Sequence, residues 1–105
     1  VHTHSTYATV LAQLRRSLVC FGTTHADYFA GDIPCVRELS DDEVVNKYEW
    51  NTGMTIVEFF KENKISPEDI PAALTPGHGP FTWGSSLFAS TTICFNCSNS
   101  IPLSP

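Results

Sequence analysis

His2 and His4 lie near the start of the chain and are separated by a single residue. On an extended segment, side chains two positions apart point to the same face, with Cα atoms about 6.5 Å apart. Two neutral imidazoles at that separation can bind one cation. Histidine pairs of this kind also occur in solvent without a metal, so the interpretation requires a third ligand.

His78 is the candidate third ligand, because Gly77 and Gly79 flank it without side-chain bulk. Glycine on both sides lets the backbone turn sharply, so that the ring between them can enter a pocket. Three histidines that leave coordination positions open are a ligand set of catalytic zinc sites. A histidine on a surface turn is the alternative interpretation of His78 taken alone.

Asp27 is the candidate acid/base group, since it follows a segment that the sequence predicts to be a buried strand. Desolvation or a nearby cation can tune the pKa of such a carboxyl group for proton transfer. An aspartate that caps a turn through its side chain is the alternative. His25 has no clear metal partner in the sequence, and we expect it only to orient its neighbours.

The chain has 105 residues, of which 42% are hydrophobic and 16% are charged, and this predicts one domain with a small core. Its net charge of −5 has the wrong sign for binding nucleic acid. No apolar run approaches the about 20 residues that a transmembrane helix needs, and no signal peptide is visible. We therefore expect a cytoplasmic protein with neither a nucleic-acid nor a membrane partner.

Cys94 and Cys97 have the spacing of a metal-binding or redox pair. Four ligands would require a second pair or a nearby histidine, and the sequence offers neither beside them. Because nothing marks the chain as secreted, the sequence favours thiols over disulfides for all its cysteines.

Three helices and one further helical turn are predicted to position these residues. The first covers about 7–17, capped by Ser5 or Thr6, with an apolar stripe at helical spacing. Ser40-Asp-Asp-Glu43 fits a capping box at the start of the second, and 54–61 has the wide apolar face of the third. Proline and acidic residues in 66–69 suit one helical turn. The stripe of the first helix consists of Val10, Leu11, Leu14 and Leu18.

Four extended segments complete a mixed α and β pattern. Residues 19–21 are predicted as a short buried strand and 33–36 as an edge strand, because it contains Pro34. Residues 72–74 and 81–83 are predicted as strands on either side of the turn that contains His78.

The charge distribution predicts a boundary near residue 84. After Asp69 the chain has no Asp, Glu, Lys or Arg, and 85–105 shows neither a helical nor a strand period. We therefore expect 1–84 to form the structured part and 85–105 to be a divergent, poorly ordered tail.

Over residues 1–84 the sequence resembles the L-ribulose-5-phosphate 4-epimerases of the class II aldolase family. The histidine pair and the later histidine are shared across that family, whereas the block at 22–29 is typical of the sugar-phosphate epimerase branch. The matching blocks are, in order, His2-Thr-His4-Ser, Gly22-Thr-Thr-His-Ala-Asp-Tyr-Phe29, Ile33-Pro-Cys35, Tyr48-Glu49, Thr52-Gly53, His78-Gly-Pro-Phe81 and Trp83-Gly84.

The resemblance implies a divalent metal, usually zinc, on His2, His4 and His78. It also implies that Asp27 is one of two acid/base groups, with Thr23 and Glu49 as weaker candidates for the substrate pocket. The implied reaction converts L-ribulose 5-phosphate to D-xylulose 5-phosphate by retro-aldol cleavage and re-formation of a C–C bond, a step of pentose and arabinose catabolism. Surface exposure is the alternative for Glu49, and a strand-end hydroxyl for Thr23.

The family fold is a three-layer αβα arrangement around an antiparallel sheet, and the family assembles as a homotetramer. Its phosphate-binding loops and its second acid/base, a tyrosine near the C terminus, have no counterpart here, since the last tyrosine is Tyr48. We therefore expect a partial domain that is truncated at both ends, aggregation-prone and inactive on its own. A class II sugar-phosphate aldolase and a noncatalytic metal-binding remnant are the alternative functions.

Overall fold

A β-hairpin carries His78 in the computed structural model, which describes residues 1–99. Its strands are β1 (Ala72–Thr75) and β2 (Gly79–Thr82), and they pair antiparallel. The backbone N–H of His78 donates to the carbonyl of residue 75 at 3.1 Å. Pro76 and Gly77 (φ +70°) occupy the two central positions of this turn, as a type II turn requires. Both predicted strands are confirmed, although β1 ends one residue later than predicted and β2 begins two residues earlier and ends one residue earlier.

Short extended segments lie along both edges of the hairpin. On the β2 side, residues 1 and 82 exchange two backbone hydrogen bonds of 2.7 and 2.8 Å, and His2 forms a bridge with Phe81. On the β1 side, Cys35 forms a parallel bridge with Leu74. The predicted extended segment at 33–36 is therefore confirmed, and His2 lies beside the strand that follows His78.

The first helix, α1, covers Thr6–Gln13 and has Ser5 as its N-cap residue, in agreement with the prediction at that end. The predicted apolar stripe is confirmed at Leu11 and Leu18, which belong to or pack against the core, and is wrong at Val10 and Leu14, which are exposed. The fully buried residues of α1 are Ala8 and Ala12. The helix lies close to the hairpin, since the carbonyl of Ala12 accepts a hydrogen bond of 2.8 Å from the Gly77 N–H. Alanine side chains permit that close packing, and larger apolar side chains do not.

The predicted strand at 19–21 is wrong, because Val19 and Phe21 are exposed and only Leu18 forms a bridge, with Ile33. The next amide that could extend this pairing, Cys20 N–H, donates instead to the Asp32 carboxylate at 2.9 Å. A short helix, α2 (Thr23–Ala26), follows.

Two helices, α3 (Asp41–Val45) and α4 (Tyr48–Glu62), cover the region before the hairpin. The capping box is confirmed, since the Ser40 hydroxyl accepts from the Glu43 N–H and the Glu43 carboxylate accepts from the Ser40 N–H. The α4 helix begins earlier than the predicted 54. Its N-cap residue, Lys47, has a left-handed conformation and makes no capping hydrogen bond through its side chain, so no sequence signal marks the start.

A fifth helix, α5 (Leu87–Asn99), corrects the prediction of an irregular tail for these residues. The sequence shows no clear helical period here, because two of the residues that α5 buries are Ser90 and Cys97 rather than large apolar residues. Hydroxyls of Thr91 and Thr92 also donate to the carbonyls one turn earlier. Residues 100–105 of the predicted tail lie outside the described residues, and the boundary near 84 stays a prediction.

The core lies between the hairpin and the surrounding helices. It is small, and each large side chain that is fully buried in it contributes about 1.5–3 kcal/mol of hydrophobic stabilisation. None of the helices within residues 1–99 combines the length and apolar character needed to cross a lipid bilayer. The largest apolar members of the core are Leu18, Phe29, Ile33, Val36, Phe60, Ile70 and Leu74.

Candidate metal centre

The structure brings together the Nε2 atoms of His2, His4 and His78. The Nε2 atom of His2 lies 3.2 Å from that of His4 and 3.1 Å from that of His78. One potential ligand atom from each of the three residues lies within 4.8 Å of the others. Three imidazoles separated by up to 76 residues thus converge on one point.

Local backbone structure accounts for this convergence. His2 is held beside β2 by its bridge with Phe81, and its ring stacks on that of Phe81 with centroids 4.1 Å apart. Close approach of the first segment requires a glycine after His78, because a Cβ at Gly79 would lie 3.0 Å from the carbonyl oxygen of Thr3. Glycine at this position therefore lets the first segment approach the hairpin.

The distances from the His2 nitrogen to those of His4 and His78 fit a tetrahedral metal site. At a zinc–nitrogen distance of about 2.0–2.1 Å, neighbouring ligands of a tetrahedral ion are about 3.3–3.4 Å apart. The two nitrogen pairs at 3.1 and 3.2 Å are close to that value without an ion. Imidazole ligands suit zinc as well as other first-row cations.

The other ring nitrogen of His2 also fits a ligand role. Its Nδ1 lies 2.9 Å from the carbonyl oxygen of Pro80, which can only accept a hydrogen bond. Nδ1 of a neutral His2 therefore carries the proton, and its Nε2 presents a lone pair to the cluster. A remote N–H donated to a carbonyl is the usual orientation of metal-ligating histidines.

His78 is the least exposed of the three histidines. Its burial, together with the charges of His2 and His4 when these are protonated, lowers the pKa of His78 below its ordinary value. This histidine is therefore neutral near pH 7, the form that binds metals.

A cavity of about 300 Å³ opens beside the cluster. Glu49, an exposed residue, contributes to its wall, and the wall also includes the phenol of Tyr48. The role of Glu49 in substrate binding stays a prediction. Because His2 and His4 are exposed to solvent, a ligand can reach the nitrogen cluster from this side. The lining residues are His2, Tyr48, Glu49, Thr52, His78 and Phe81.

Thr23 is the first residue of α2 and Asp27 follows its last, and both lie apart from this cavity. Both are exposed, and neither belongs to the lining of the cavity or to the cluster of ligand atoms. His25, between them, is buried, and its Nε2 donates to the Gly31 carbonyl at 2.6 Å. This contact ties α2 to the loop that follows it, so His25 orients its neighbours as the sequence predicted.

The Cys94 and Cys97 pair lies on α5. Burial raises the pKa of the Cys97 thiol to about 12, so that it stays protonated and is a poor metal ligand near neutral pH. The Cys94 sulfur lies 3.6 Å from the Thr3 hydroxyl. Within residues 1–99 the cysteines form no disulfide.

Tyr48 is a residue of the site that sequence reasoning missed. Its hydroxyl oxygen lies 3.1 Å from Nδ1 of His78, across 30 positions of the chain. No spacing rule links a residue at a helix start to a histidine on a distant turn. Only its position directly before Glu49, inside a block that resembles the epimerases, could have drawn attention to it.

The chain belongs to the class II aldolase and adducin family, because the model of the class II aldolase and adducin N-terminal domain matches residues 1–101. Among curated proteins, it is 52% identical over 84 residues to the L-ribulose-5-phosphate 4-epimerases UlaF of Salmonella paratyphi B and Salmonella typhi. It is 49% identical over 85 residues to the probable L-ribulose-5-phosphate 4-epimerase UlaF of Mycoplasma pneumoniae. These matches cover 80–81% of the chain but only 35–36% of each relative. The resemblance inferred from the sequence is thereby confirmed.

Proposed function

We propose that the chain is part of a metal-dependent sugar-phosphate epimerase that converts L-ribulose 5-phosphate to D-xylulose 5-phosphate. The observation that carries this proposal is the convergence of the Nε2 atoms of His2, His4 and His78. The names of the similar curated proteins support the substrate. The histidine set supports zinc or another divalent cation as the cofactor.

The proposed reaction inverts C4 by a reversed aldol step. Removal of the C4 hydroxyl proton lets the C3–C4 bond break, leaving its electron pair on the three-carbon enediolate and releasing glycolaldehyde phosphate. Rotation of that aldehyde, re-formation of the bond on its other face and return of the proton give the epimer. Atoms and electrons balance without an oxidant or a reductant.

The residues have separate tasks in this proposal. His2, His4 and His78 would hold the cation, which when bound supplies Lewis-acid stabilisation of negative charge on substrate oxygens. Asp27 lies outside the cavity wall, and its proposed role, to accept or return the hydroxyl proton, is supported by the resemblance to the epimerases. Glu49, in the cavity wall, and Thr23 would bind substrate hydroxyls.

The proposal extends to the whole protein, of which this chain spans about a third of the length of the curated relatives it matches. We propose that the hairpin and its edge segments belong to an antiparallel sheet between helical layers in a three-layer αβα fold. We also propose a cytoplasmic homotetramer, without a nucleic-acid or membrane partner. The negative net charge supports the absence of a nucleic-acid partner.

Zinc stoichiometry tests the metal site directly. Native mass spectrometry of the full chain at equimolar zinc is expected to find about one zinc ion per chain, whereas His78→Ala, which keeps two ligands, is expected to bind zinc too weakly to retain the ion under these conditions. Cys20→Ser, which changes a possible ligand outside the cluster, is the control and should keep the ion. Unchanged stoichiometry in His78→Ala would refute the site.

Product analysis separates the epimerase from its alternatives. The zinc-loaded full-length protein is supplied with L-ribulose 5-phosphate, and formation of D-xylulose 5-phosphate is expected, whereas the 105-residue chain alone is expected to form little or none. Net release of glycolaldehyde phosphate would instead indicate a sugar-phosphate aldolase. Zinc binding without turnover would indicate a noncatalytic metal-binding chain.

A further inference from the structure

Of the three histidines, His78 is the one that shares a hydrogen bond with Tyr48. Its hydroxyl oxygen lies 3.1 Å from His78 Nδ1, and the two rings are 27° from parallel with centroids 6.3 Å apart. The phenol therefore lies behind the imidazole, on the side away from the nitrogen that faces His2.

The direction of this hydrogen bond decides whether His78 can bind a metal. If Nδ1–H donates to the phenol oxygen of Tyr48, a neutral His78 has a lone pair on Nε2. If the phenol donates to Nδ1, the imidazole proton lies on Nε2, and that nitrogen cannot be a ligand. The equivalent bond of His2 has one possible direction, because its partner is a carbonyl of the main chain.

The main chain fixes the position of Tyr48. It is the first residue of α4 and follows Lys47, whose left-handed backbone (φ +55°) redirects the chain into the helix. Its carbonyl accepts a hydrogen bond of 2.8 Å from the Thr52 hydroxyl. The Asn51 amide donates to the carbonyls of Glu43 and residue 46, which ties the start of α4 to the end of α3.

Tyr48 also lines both cavities that border His78. One is the cavity of about 300 Å³ beside the histidine cluster, and the other has about 320 Å³ and extends toward Arg37. Since the Tyr48 side chain is partly exposed, removal of its hydroxyl leaves His78 Nδ1 to water and keeps the aromatic ring beside the imidazole.

We propose that Tyr48 is a positioning residue that holds His78 with Nδ1 protonated and Nε2 directed at the metal. The proposal rests on the proposed metal site and assigns the phenol no contact with the substrate. Mutation of the residue that hydrogen-bonds the non-ligating nitrogen of a metal-binding histidine typically lowers metal affinity about 10- to 100-fold.

The test compares zinc affinities of the full chain and of Tyr48→Phe, measured by competition with a chromophoric chelator. Tyr48→Phe is expected to bind zinc about 10- to 100-fold more weakly, because it keeps the ring and loses only the acceptor. Tyr28→Phe is the matched control, since Tyr28 and Tyr48 are 42% and 41% exposed. Equal affinities for wild type and Tyr48→Phe would overturn the proposal.

A double-mutant cycle separates positioning from a general structural effect. In a His78→Ala background, Tyr48→Phe should cause no further loss of the residual affinity, because the phenol acts through His78. An equal loss in both backgrounds would overturn the proposal.

Exchange of the His78 Nδ1–H proton with water gives a second readout. In ¹H–¹⁵N spectra of the zinc-loaded protein, this proton is expected to exchange slowly in wild type, where Tyr48 accepts it, and faster in Tyr48→Phe. Equal exchange in the two proteins overturns the role of Tyr48. Failure of the wild type to bind zinc overturns the proposed metal site instead, so the two failures are distinguishable.

Discussion

At the scale of single residues, His2 and His78 differ in the hydrogen-bond partner of Nδ1, the ring nitrogen that faces away from the cluster. His2 is oriented by a main-chain carbonyl, whereas His78 is oriented by a side chain that can both donate and accept. A substitution can therefore remove the outer partner of His78 but not that of His2. A single side-chain substitution can therefore change which ring nitrogen of His78 carries the proton, but it cannot remove the carbonyl that sets the tautomer of His2.

Asp27→Asn separates proton transfer from metal binding. Because Asp27 is exposed and lies outside the ligand cluster, zinc stoichiometry is expected to stay unchanged and stability to change by no more than about 0.5 kcal/mol. Epimerisation by the zinc-loaded protein is expected to fall by about 10²- to 10⁴-fold, the usual contribution of an acid/base group. Asp32→Asn, at an exposed carboxylate of the same region, is the control for activity. Full turnover by Asp27→Asn would exclude the proton-transfer role.

The Glu43 carboxylate predicts a measurable acid dependence of stability. Hydrogen bonds from Arg37 and from the Ser40 amide lower the pKa of Glu43 from 4.5 to about 2 in the folded chain. The unfolded chain therefore binds the proton more readily, so this contribution is fully present above pH 4.5 and is lost as the pH falls toward 2. The effect is small, since the ion pair is solvent-exposed.

Urea unfolding between pH 2 and pH 6 measures the contribution of the Glu43 carboxylate to the free energy of unfolding. The stability difference between wild type and Glu43→Gln is expected to shrink across the window from 4.5 to about 2. Glutamine keeps the capping box, so the variant loses chiefly the charge. Glu68→Gln, outside the Arg37 cluster, controls for general titration. A constant difference at every pH would contradict the assignment.

At the scale of elements, the site depends on how closely the first segment approaches the hairpin. Gly79 and Gly53 should therefore respond in opposite directions to alanine. A Cβ at Gly79 would lie 3.0 Å from the Thr3 carbonyl, whereas a Cβ at Gly53, in α4, meets no atom within 4 Å.

Gly79→Ala is expected to cost about 1–3 kcal/mol through overpacking and to weaken zinc binding by displacing His2 and His4. Gly53→Ala is expected to raise the free energy of unfolding by about 0.5–1 kcal/mol, because alanine favours a helix interior, and to leave zinc binding unchanged. Urea unfolding and zinc titration of both variants check this. Zinc affinity that is unaffected in Gly79→Ala would mean that the first segment does not need this approach.

Helix starts and turns that have a signal within a few residues of sequence could be predicted. Features that depend on contacts with distant parts of the chain could not. The capping box at Ser40 and the turn around Gly77 carry their signals within four residues. The buried face of α1 could not be found in this way, because its alanines are buried by the nearby hairpin rather than by their own hydrophobicity. The α5 helix was missed because serine and cysteine occupy buried positions in place of a clear apolar stripe.

In the candidate site, too, some residues could be predicted from local sequence and one could not. The three histidines could be selected from residue type and from the glycines around His78, since a metal site restricts the donor atoms. Tyr48 could not be selected, because its role depends on a contact across 30 positions of the chain. Sequence patterns therefore identified the proposed ligands, and the packing of α4 identified the residue behind one of them.

At the scale of the whole molecule, the balance between a small core and an exposed apolar surface governs behaviour in solution. Leu87 and Phe88 are 80% and 82% exposed at the start of α5, in a stretch of 85–99 that has no charged residue. Exposed apolar side chains without nearby charge favour association, so we expect the chain to self-associate through this patch.

Glutamate at both positions of the patch tests this expectation. The Leu87→Glu, Phe88→Glu variant is expected to lower the average mass in a concentration series by sedimentation, and negative charge at a helix N terminus should not weaken α5. The matched control is Phe21→Glu, Val45→Glu, which adds the same charge at residues that are 74% and 80% exposed elsewhere. Since net charge is equal in the two variants, dispersal by the first alone assigns association to the α5 patch. Equal dispersal by both would assign it to overall repulsion, and no dispersal by either would mean that other surfaces hold the copies together.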